Sequence, residues 1–313
     1  MIAVAMPIAR DNLLSIRDAL SWGAQVLDQA GIENTWLDAE VLLRHAQDME
    51  RERLYMNTEA PMSAGQEAKF RELVLRRSRR EPVAYITGHK EFWSLDFVVN
   101  PAVLIPRPET ELLVEVALQY VGKLEEESSV KILDLGTGSG VIPVCLAKEK
   151  PTAKIVAVDI SPIALDVARM NATRHGVANR IRFLSGDLFA PLKPLRKTFT
   201  VIVSNPPYIR TGELSTLAPE ISSWEPMIAL DGGAEGMDAY RRIIEQAHEY
   251  LAPGGAIVLE IGADLASAVA ELFARSGSYG PASMFQDYAG KDRVIAAMKW
   301  RPSDSAVKSI KRG

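Results

Sequence analysis

Apolar residues recur at helical spacing over residues 13–80: Leu13, Leu14, Ile16 and Leu20, then Trp36, Leu37, Val41, Leu42 and Leu43, then Phe70, Leu73, Val74 and Leu75. Nothing in that stretch alternates as a strand would, so the pattern predicts a small all-α domain. Ser63 with Gln66 reads as a capping box at a helix start, and Gly31 as the stop after the first helix. Glu81-Pro82 then breaks the run, and 85–99 alternates around Gly88, which predicts a β-hairpin joining two domains. Beyond Leu104, short apolar runs separate helical stretches, the pattern of an α/β fold with a parallel sheet. Strands are expected at 130–135, 155–159, 181–185, 199–204 and 255–261, with a closing antiparallel hairpin of 282–286 and 293–299. Ser161-Pro162 should open the helix after the second of these strands, Gly176 should close it, and 251–255 reads as a turn. The chain thus divides into a helical domain at 1–81, a hairpin linker at 82–103, an α/β domain at 104–300 and a basic tail at 301–313.

Composition narrows the setting. The 313 residues are 47 % hydrophobic, enough for a substantial core. A formal net charge of −4 and a pI near 5.7 argue against a surface built to coat nucleic acid. One cysteine, Cys145, sits in an apolar run and reads as a core residue, so no disulfide forms within the chain and a reducing compartment is expected. Residues 1–10 are short and broken by Pro7, a poor signal peptide, and no apolar run approaches membrane-spanning length. The cytoplasm is the expected location. Four scattered histidines and one cysteine give no metal-ligand spacing. Arg71, Arg76, Arg77, Arg79 and Arg80 form either a solvated helix face or a docking surface for an acidic partner.

Candidate chemistry lies at the expected strand ends. Gly136-Thr137-Gly138-Ser139-Gly140 follows one strand and precedes a helix, so the backbone can turn sharply and let a ligand approach. A dinucleotide fingerprint would place glycine three residues after Gly138, where Val141 stands, which counts against a dehydrogenase. Asp159 ends the next strand, where a carboxylate can accept both ribose hydroxyls of a nucleoside-bearing cofactor or simply cap the helix. Gly186-Asp187-Leu188-Phe189 follows the third strand, placed to bracket an adenine or to form an ordinary turn. Pro106-Arg107-Pro108-Glu109-Thr110-Glu111 leads into a helix, either as a lid with Arg107 pairing a carboxylate or as carboxylates complementing the helix dipole.

Asn205-Pro206-Pro207-Tyr208 closes the run 199–204. It suits a planar NH2 group, whose delocalised lone pair makes it a poor nucleophile that must be held and polarised. The Asn205 oxygen and the following carbonyl can accept its two hydrogens. Pro206 and Pro207 fix the turn and remove competing donors, and Tyr208 offers a ring on which a flat group can lie.

Together with Gly88-His89-Lys90-Glu91-Phe92-Trp93 and Glu225-Pro226 through Leu230-Asp231-Gly232-Gly233, these motifs resemble the HemK/PrmC family of protein-(glutamine-N5) methyltransferases over nearly the whole chain. The resemblance implies a Rossmann-like methyltransferase sheet, S-adenosylmethionine as methyl donor and the glutamine of a Gly-Gly-Gln motif in peptide-chain release factors as acceptor. It also implies that Gly136, Thr137, Gly138, Ser139, Gly140, Asp159, Leu188 and Asn205 contact the cofactor. Asn205, Pro206, Pro207 and Tyr208 would hold the amide, and the helical domain would grip the protein substrate. Related sequences often carry an aromatic where this chain has Leu188, so an adenine wall of Leu188 and Phe189 is expected. A glutamine in a ribosomal protein and an exocyclic amine of a nucleic-acid base are the alternative acceptors.

Overall fold

A computed structural model describes residues 14–124, 130–195 and 199–301. The opening segment read as a poor signal peptide, the start of the first helical run at Leu13 and all but the first residue of the basic tail lie outside the described residues. The described chain falls into two compact units, one formed up to His89 together with Ala218–Trp224, the other by Lys90–Leu217 and the chain from Glu225 onward.

The first unit is helical. Helices α1 (Ile16–Gln29), α2 (Thr35–Gln47), α3 (Arg51–Met56) and α4 (Ala64–Ser78) bury Leu20, Leu27, Leu42, Leu43, Leu54 and Phe70 in a shared core. The capping box forms: Ser63 Oγ accepts the Gln66 N–H at 3.3 Å, and Gln66 Oε1 accepts the Ser63 N–H at 2.9 Å. The arginine run is largely spent inside the unit. Arg77 is buried and donates to Asp38 at 2.7 Å and Glu220 at 2.9 Å, Arg80 reaches Glu220 at 3.1 Å, and Arg76 pairs with Glu81. A buried guanidinium needs such partners because removing one leaves an uncompensated charge.

The alternation over 85–99 breaks differently than expected. Tyr85, Ile86 and Thr87 belong to a short helix α5 (Val83–Thr87), with Pro82 as its N-cap and Gly88 (φ +78°) ending it in the left-handed region. Only then does the hairpin begin, with β1 (His89–Phe92) and β2 (Leu95–Val98) joined by Trp93 and Ser94, both at φ +55°. Positive φ at both turn residues matches the right-handed strand twist. Glu111 Oε1 accepts the Trp93 backbone N–H, and Glu149 Oε1 the indole N–H, each at 2.8 Å.

The second unit carries a seven-stranded sheet. In chain order its elements are α6 (Thr110–Leu124), β3 (Lys131–Leu135), α7 (Val141–Glu149), β4 (Lys154–Asp159), α8 (Pro162–Arg174), β5 (Ile181–Ser185), β6 (Phe199–Ser204), α9 (Asp238–Tyr250), β7 (Leu251–Glu260), α10 (Ala266–Ser276), β8 (Ser283–Gln286) and β9 (Asp292–Met298). The order across the sheet is β5-β4-β3-β6-β7-β9-β8, parallel from β5 to β7 and antiparallel at β9 and β8. Alternate residues face opposite layers. Ile132, Val201, Val203 and Val258 pack with α6 and α7, while Leu133, Ile202, Ile257 and Leu259 pack with α9 and α10. Residues 251–255, expected as a turn, belong to β7: Phe199 pairs with Leu251 and Val201 with Ala256, so the extra residues form a bulge that Gly254 (φ +76°) makes possible. Among the described residues no helix is long and apolar enough to cross a membrane. The Cys145 thiol is buried in α7, and burial pushes its pKa up.

Besides the packing of Phe92 and Phe97, the buried Asn171 side chain joins the hairpin to the glycine loop. Asn171 of α8 accepts the Val98 N–H at 2.8 Å and donates to the carbonyls of Val98 and Ser139, both at 2.9 Å. Replacing it with alanine strands three backbone groups, so Asn171→Ala should cost about 2–3 kcal/mol of stability. Urea unfolding measures this; an unchanged midpoint would show that the tie carries no weight.

Candidate active site

The parallel strands reverse their order between β3 and β6, and ligands of open α/β sheets bind outside the strand ends at such a switch point. Here Leu135 pairs with Ser204, whose Oγ donates to the Leu135 carbonyl at 2.8 Å. The glycine loop and Asn205 therefore leave the sheet side by side. A cavity of about 290 Å³ opens there, lined among others by Gly136, Gly138, Asp159, Leu188, Asn205 and Pro207.

The loop after β3 is held from two sides. Gly136 and Thr137 donate their N–H groups to the Val158 carbonyl at 2.9 and 3.0 Å, and Gly138 donates to Asp159 Oδ2 at 2.8 Å. Asp159 Oδ1 accepts the Ser161 N–H at 2.9 Å, and Ser161 caps α8 through the Ala164 N–H at 3.2 Å. Asp159 thus shapes the loop and the turn into α8, and an ionised carboxylate retains acceptor sites for a further ligand. Gly140 (φ +82°) must be glycine, since a Cβ would also lie 3.0 Å from the Ala168 Cβ.

Thr137 and Ser139 are buried and do not line the cavity. Beneath the loop, both Asp134 carboxylate oxygens and the Thr137 hydroxyl lack hydrogen-bond partners among the described residues. Burial pushes the Asp134 carboxyl up to about 7; the nearby Thr137 hydroxyl opposes the rise and Asp159 adds slightly to it. Leu188 (φ +46°) lines the cavity, but Phe189 does not. Phe189 is 1 % exposed and stacks on Tyr250 at 4.7 Å within the core, so the expected two-residue wall reduces to Leu188.

Asn205 donates from Nδ2 to Thr110 Oγ1 at 3.2 Å. Pro206 is buried behind it, and Tyr208 turns its hydroxyl toward Glu260 Oε1 at 3.4 Å. Two segments close around these residues. Glu225 Oε2 accepts the Ile105 N–H at 3.1 Å while Oε1 pairs with Arg107, so the arginine does meet a carboxylate. Gly232 packs under Pro207 and Tyr208, where a Cβ would lie 2.7 Å from the Tyr208 Cα. Sequence reasoning assigned no chemistry to Glu260, Asn171 or Glu225. Glu260 did leave a signal, a lone carboxylate in the apolar run Ala256-Ile257-Val258-Leu259-Glu260-Ile261.

Residues 18–88 match the PrmC N-terminal domain, and residues 111–221 match the methyltransferase small domain. The release factor glutamine methyltransferase of Geobacter sulfurreducens is 44 % identical over 286 residues, spanning 91 % of this chain and 97 % of that protein. The chain belongs to the release factor glutamine methyltransferase family. A member from Moorella thermoacetica is 43 % identical, again over 91 % of this chain and over 99 % of that protein. Among solved structures, the hMettl16 catalytic domain in complex with MAT2A 3'UTR hairpin 6 superposes with a TM-score of 0.52 over 72 % of this chain and 81 % of that one. At 15 % identity that likeness shows the methyltransferase fold alone.

As a member of this family the protein is a methyltransferase, and its buried Asp134 gives it a pH signature. The carboxyl rises from 3.8 to about 7 on folding, so between those values the folded state holds a proton that the unfolded chain has released. Stability from this group is therefore fully present below the lower value and lost as pH climbs through the upper one. Denaturant unfolding of the ligand-free protein should show a shallower loss with rising pH in Asp134→Asn than in the wild type. Parallel pH curves would contradict the assignment.

Proposed function

We propose that the protein transfers a methyl group from S-adenosylmethionine to the side-chain amide nitrogen (N5) of the glutamine in the Gly-Gly-Gln motif of peptide-chain release factors. The observation that carries this reading is the fixed pose of Asn205. With Nδ2 engaged by Thr110, its Oδ1 is left for the cavity, next to a proline turn with no N–H to compete. The family relatives, named release factor glutamine methyltransferases, support the acceptor.

The residues fit the cofactor. Asp159 retains acceptor capacity for ribose hydroxyls, and Leu188 gives an apolar surface for adenine. When bound, S-adenosylmethionine supplies an electrophilic sulfonium methyl. Gly136 to Gly140 leave room for it, with Gly136 and Gly138 on the cavity wall and Thr137 and Ser139 holding the loop from behind. Asn205 Oδ1 and the Pro206 carbonyl accept the two amide hydrogens and aim the nitrogen for in-line attack. Pro207 walls the slot, and Tyr208 flanks the substrate. As the nitrogen gains positive charge the same two acceptors stabilise it, and its proton leaves to water without a strong base.

The carboxylates Asp159, Asp187, Asp231 and Asp238 outnumber Arg242 along the cavity. Such a rim disfavours a polyanionic substrate, which supports a protein acceptor over a nucleic-acid base. The helical unit, which exposes Trp36, Leu37, Tyr55 and Met56, is read as the part that grips the release factor. The buried, unpaired thiol of Cys145 fits a cytoplasmic setting, which cell fractionation tests.

Mass spectrometry of a release factor incubated with the protein and S-adenosylmethionine should show one methyl group on the Gly-Gly-Gln glutamine. A short Gly-Gly-Gln peptide should react more slowly, because it cannot reach the helical unit. Asn205→Ala should lower single-turnover rates roughly a hundredfold or more with a smaller effect on cofactor affinity. Methyl label in duplex DNA with the release factor unlabelled, or a normal rate for the variant, would refute the reading.

Asp159→Ala should weaken S-adenosylmethionine binding by about 1.5–3 kcal/mol, since ribose hydroxyls lose a charged acceptor and the loop loses its anchor. Calorimetry measures this directly. An unchanged dissociation constant would reduce Asp159 to a structural cap.

A further inference from the structure

Two walls of the cavity are built from chain that belongs to no strand and no long helix. Ala102, Val103 and Leu104 line one, in the stretch between β2 and α6. Pro226, Ile228 and Ala229 line the other, around a single 3-10 turn at Met227–Ala229. Such segments have no ladder of backbone hydrogen bonds to fix their spacing, so side chains must supply it.

Glu225, which immediately precedes the second wall, has a side chain only 1 % exposed. Its Oε2 accepts the Ile105 N–H at 3.1 Å and its Oε1 pairs with Arg107, so one carboxylate grips the first wall on both sides of Pro106. The bond to Ile105 is buried, and an N–H left there without an acceptor would carry its full desolvation cost. The far end of the second wall is tied by its backbone to the chain that follows the proline turn. Ile209 donates to the Leu230 carbonyl at 3.0 Å, and Gly232 donates to the Ile209 carbonyl at 2.8 Å. The first wall runs on into α6 at Thr110, which accepts from Asn205 at 3.2 Å. These contacts form a ring: first wall, Glu225, second wall, proline turn, and back to the first wall through Asn205 and Thr110.

We propose that Glu225 is a positioning residue that latches the two walls together, and that release of this latch sets how fast the cofactor leaves the cavity. The role rests on the proposed placement of S-adenosylmethionine there. The pair is asymmetric, with the Arg107 side chain 31 % exposed and that of Glu225 buried. Arg107 can turn to water, whereas Glu225 parts from it only by moving with its wall or by remaining as an uncompensated buried charge, which favours the closed form. A cofactor that leaves through the open form dissociates in proportion to the open population, so a weaker latch raises the dissociation rate by the same factor.

Rapid-mixing measurement of S-adenosylhomocysteine dissociation tests this. Glu225→Gln keeps the shape and an acceptor for Ile105 but loses the charge that holds Arg107, so dissociation should quicken roughly tenfold or more. The melting temperature of the ligand-free protein should stay near wild type. Arg107→Met should quicken dissociation similarly, Arg107→Lys should stay close to wild type because a point charge remains, and the double variant Glu225→Gln/Arg107→Met should be no faster than the faster single. Wild-type dissociation in Glu225→Gln, equal rates in Arg107→Met and Arg107→Lys, or additive effects in the double variant would overturn the proposal. If Glu225→Gln does not fold, the Arg107 pair decides alone. An Asp159→Ala variant that binds S-adenosylhomocysteine as tightly as wild type would instead overturn the placement of the cofactor on which the role rests.

Discussion

The pairing of Leu135 with Ser204 is the constraint on which the site depends. Two parallel strands end side by side, and the chain leaving β3 turns into α7 while the chain leaving β6 turns into 205–208. A glycine loop and a proline turn, 65 residues apart by the difference between Asn205 and Gly140, are thereby brought to one cavity wall. The Ser204 hydroxyl on the Leu135 carbonyl holds the strand ends in register at the point where they diverge. Asp159 then fixes the loop from the neighbouring strand, and Gly232 packs beneath Pro207 and Tyr208.

Around this frame the protein accepts buried polar groups that a core would exclude. Asp134 and Glu260 both stand fully buried on the sheet, each with a carboxyl raised to about 7. Such groups cost stability unless a ligand or a network uses them. Asp134 lies under the loop that receives the cofactor in the proposed reaction, and Glu260 accepts the hydroxyl of Tyr208 at the end of the proline turn.

Much of this was legible in the sequence because parallel strands are buried on both faces and read as continuous apolar runs. Their ends carried the glycine loop, Asp159 and Asn205, all of which meet at the cavity. The misreadings have physical causes. Residues 85–87 alternate as a strand would, but Pro82 and Gly88 supply a helix start and stop that override the pattern. Residues 251–255 look like a turn because Pro253 and Gly254 form the bulge of a strand that nevertheless continues through them. Phe189 looked like a ligand wall, but periodicity does not tell which neighbour of a turn faces the core. Glu225 with Arg107 and Asn171 with Val98 are 118 and 73 residues apart, and such long-range partners leave no local pattern.

The central claim is that an acceptor pair at Asn205 and Pro206 holds a planar amide NH2 for methyl transfer. A crystal structure of the protein with a release factor and S-adenosylhomocysteine tests it most directly. The expected result is the Gly-Gly-Gln amide nitrogen within about 3 Å of both Asn205 Oδ1 and the Pro206 carbonyl oxygen. A glutamine held by other groups, or an Asn205 that turns its nitrogen toward the substrate, would contradict the account.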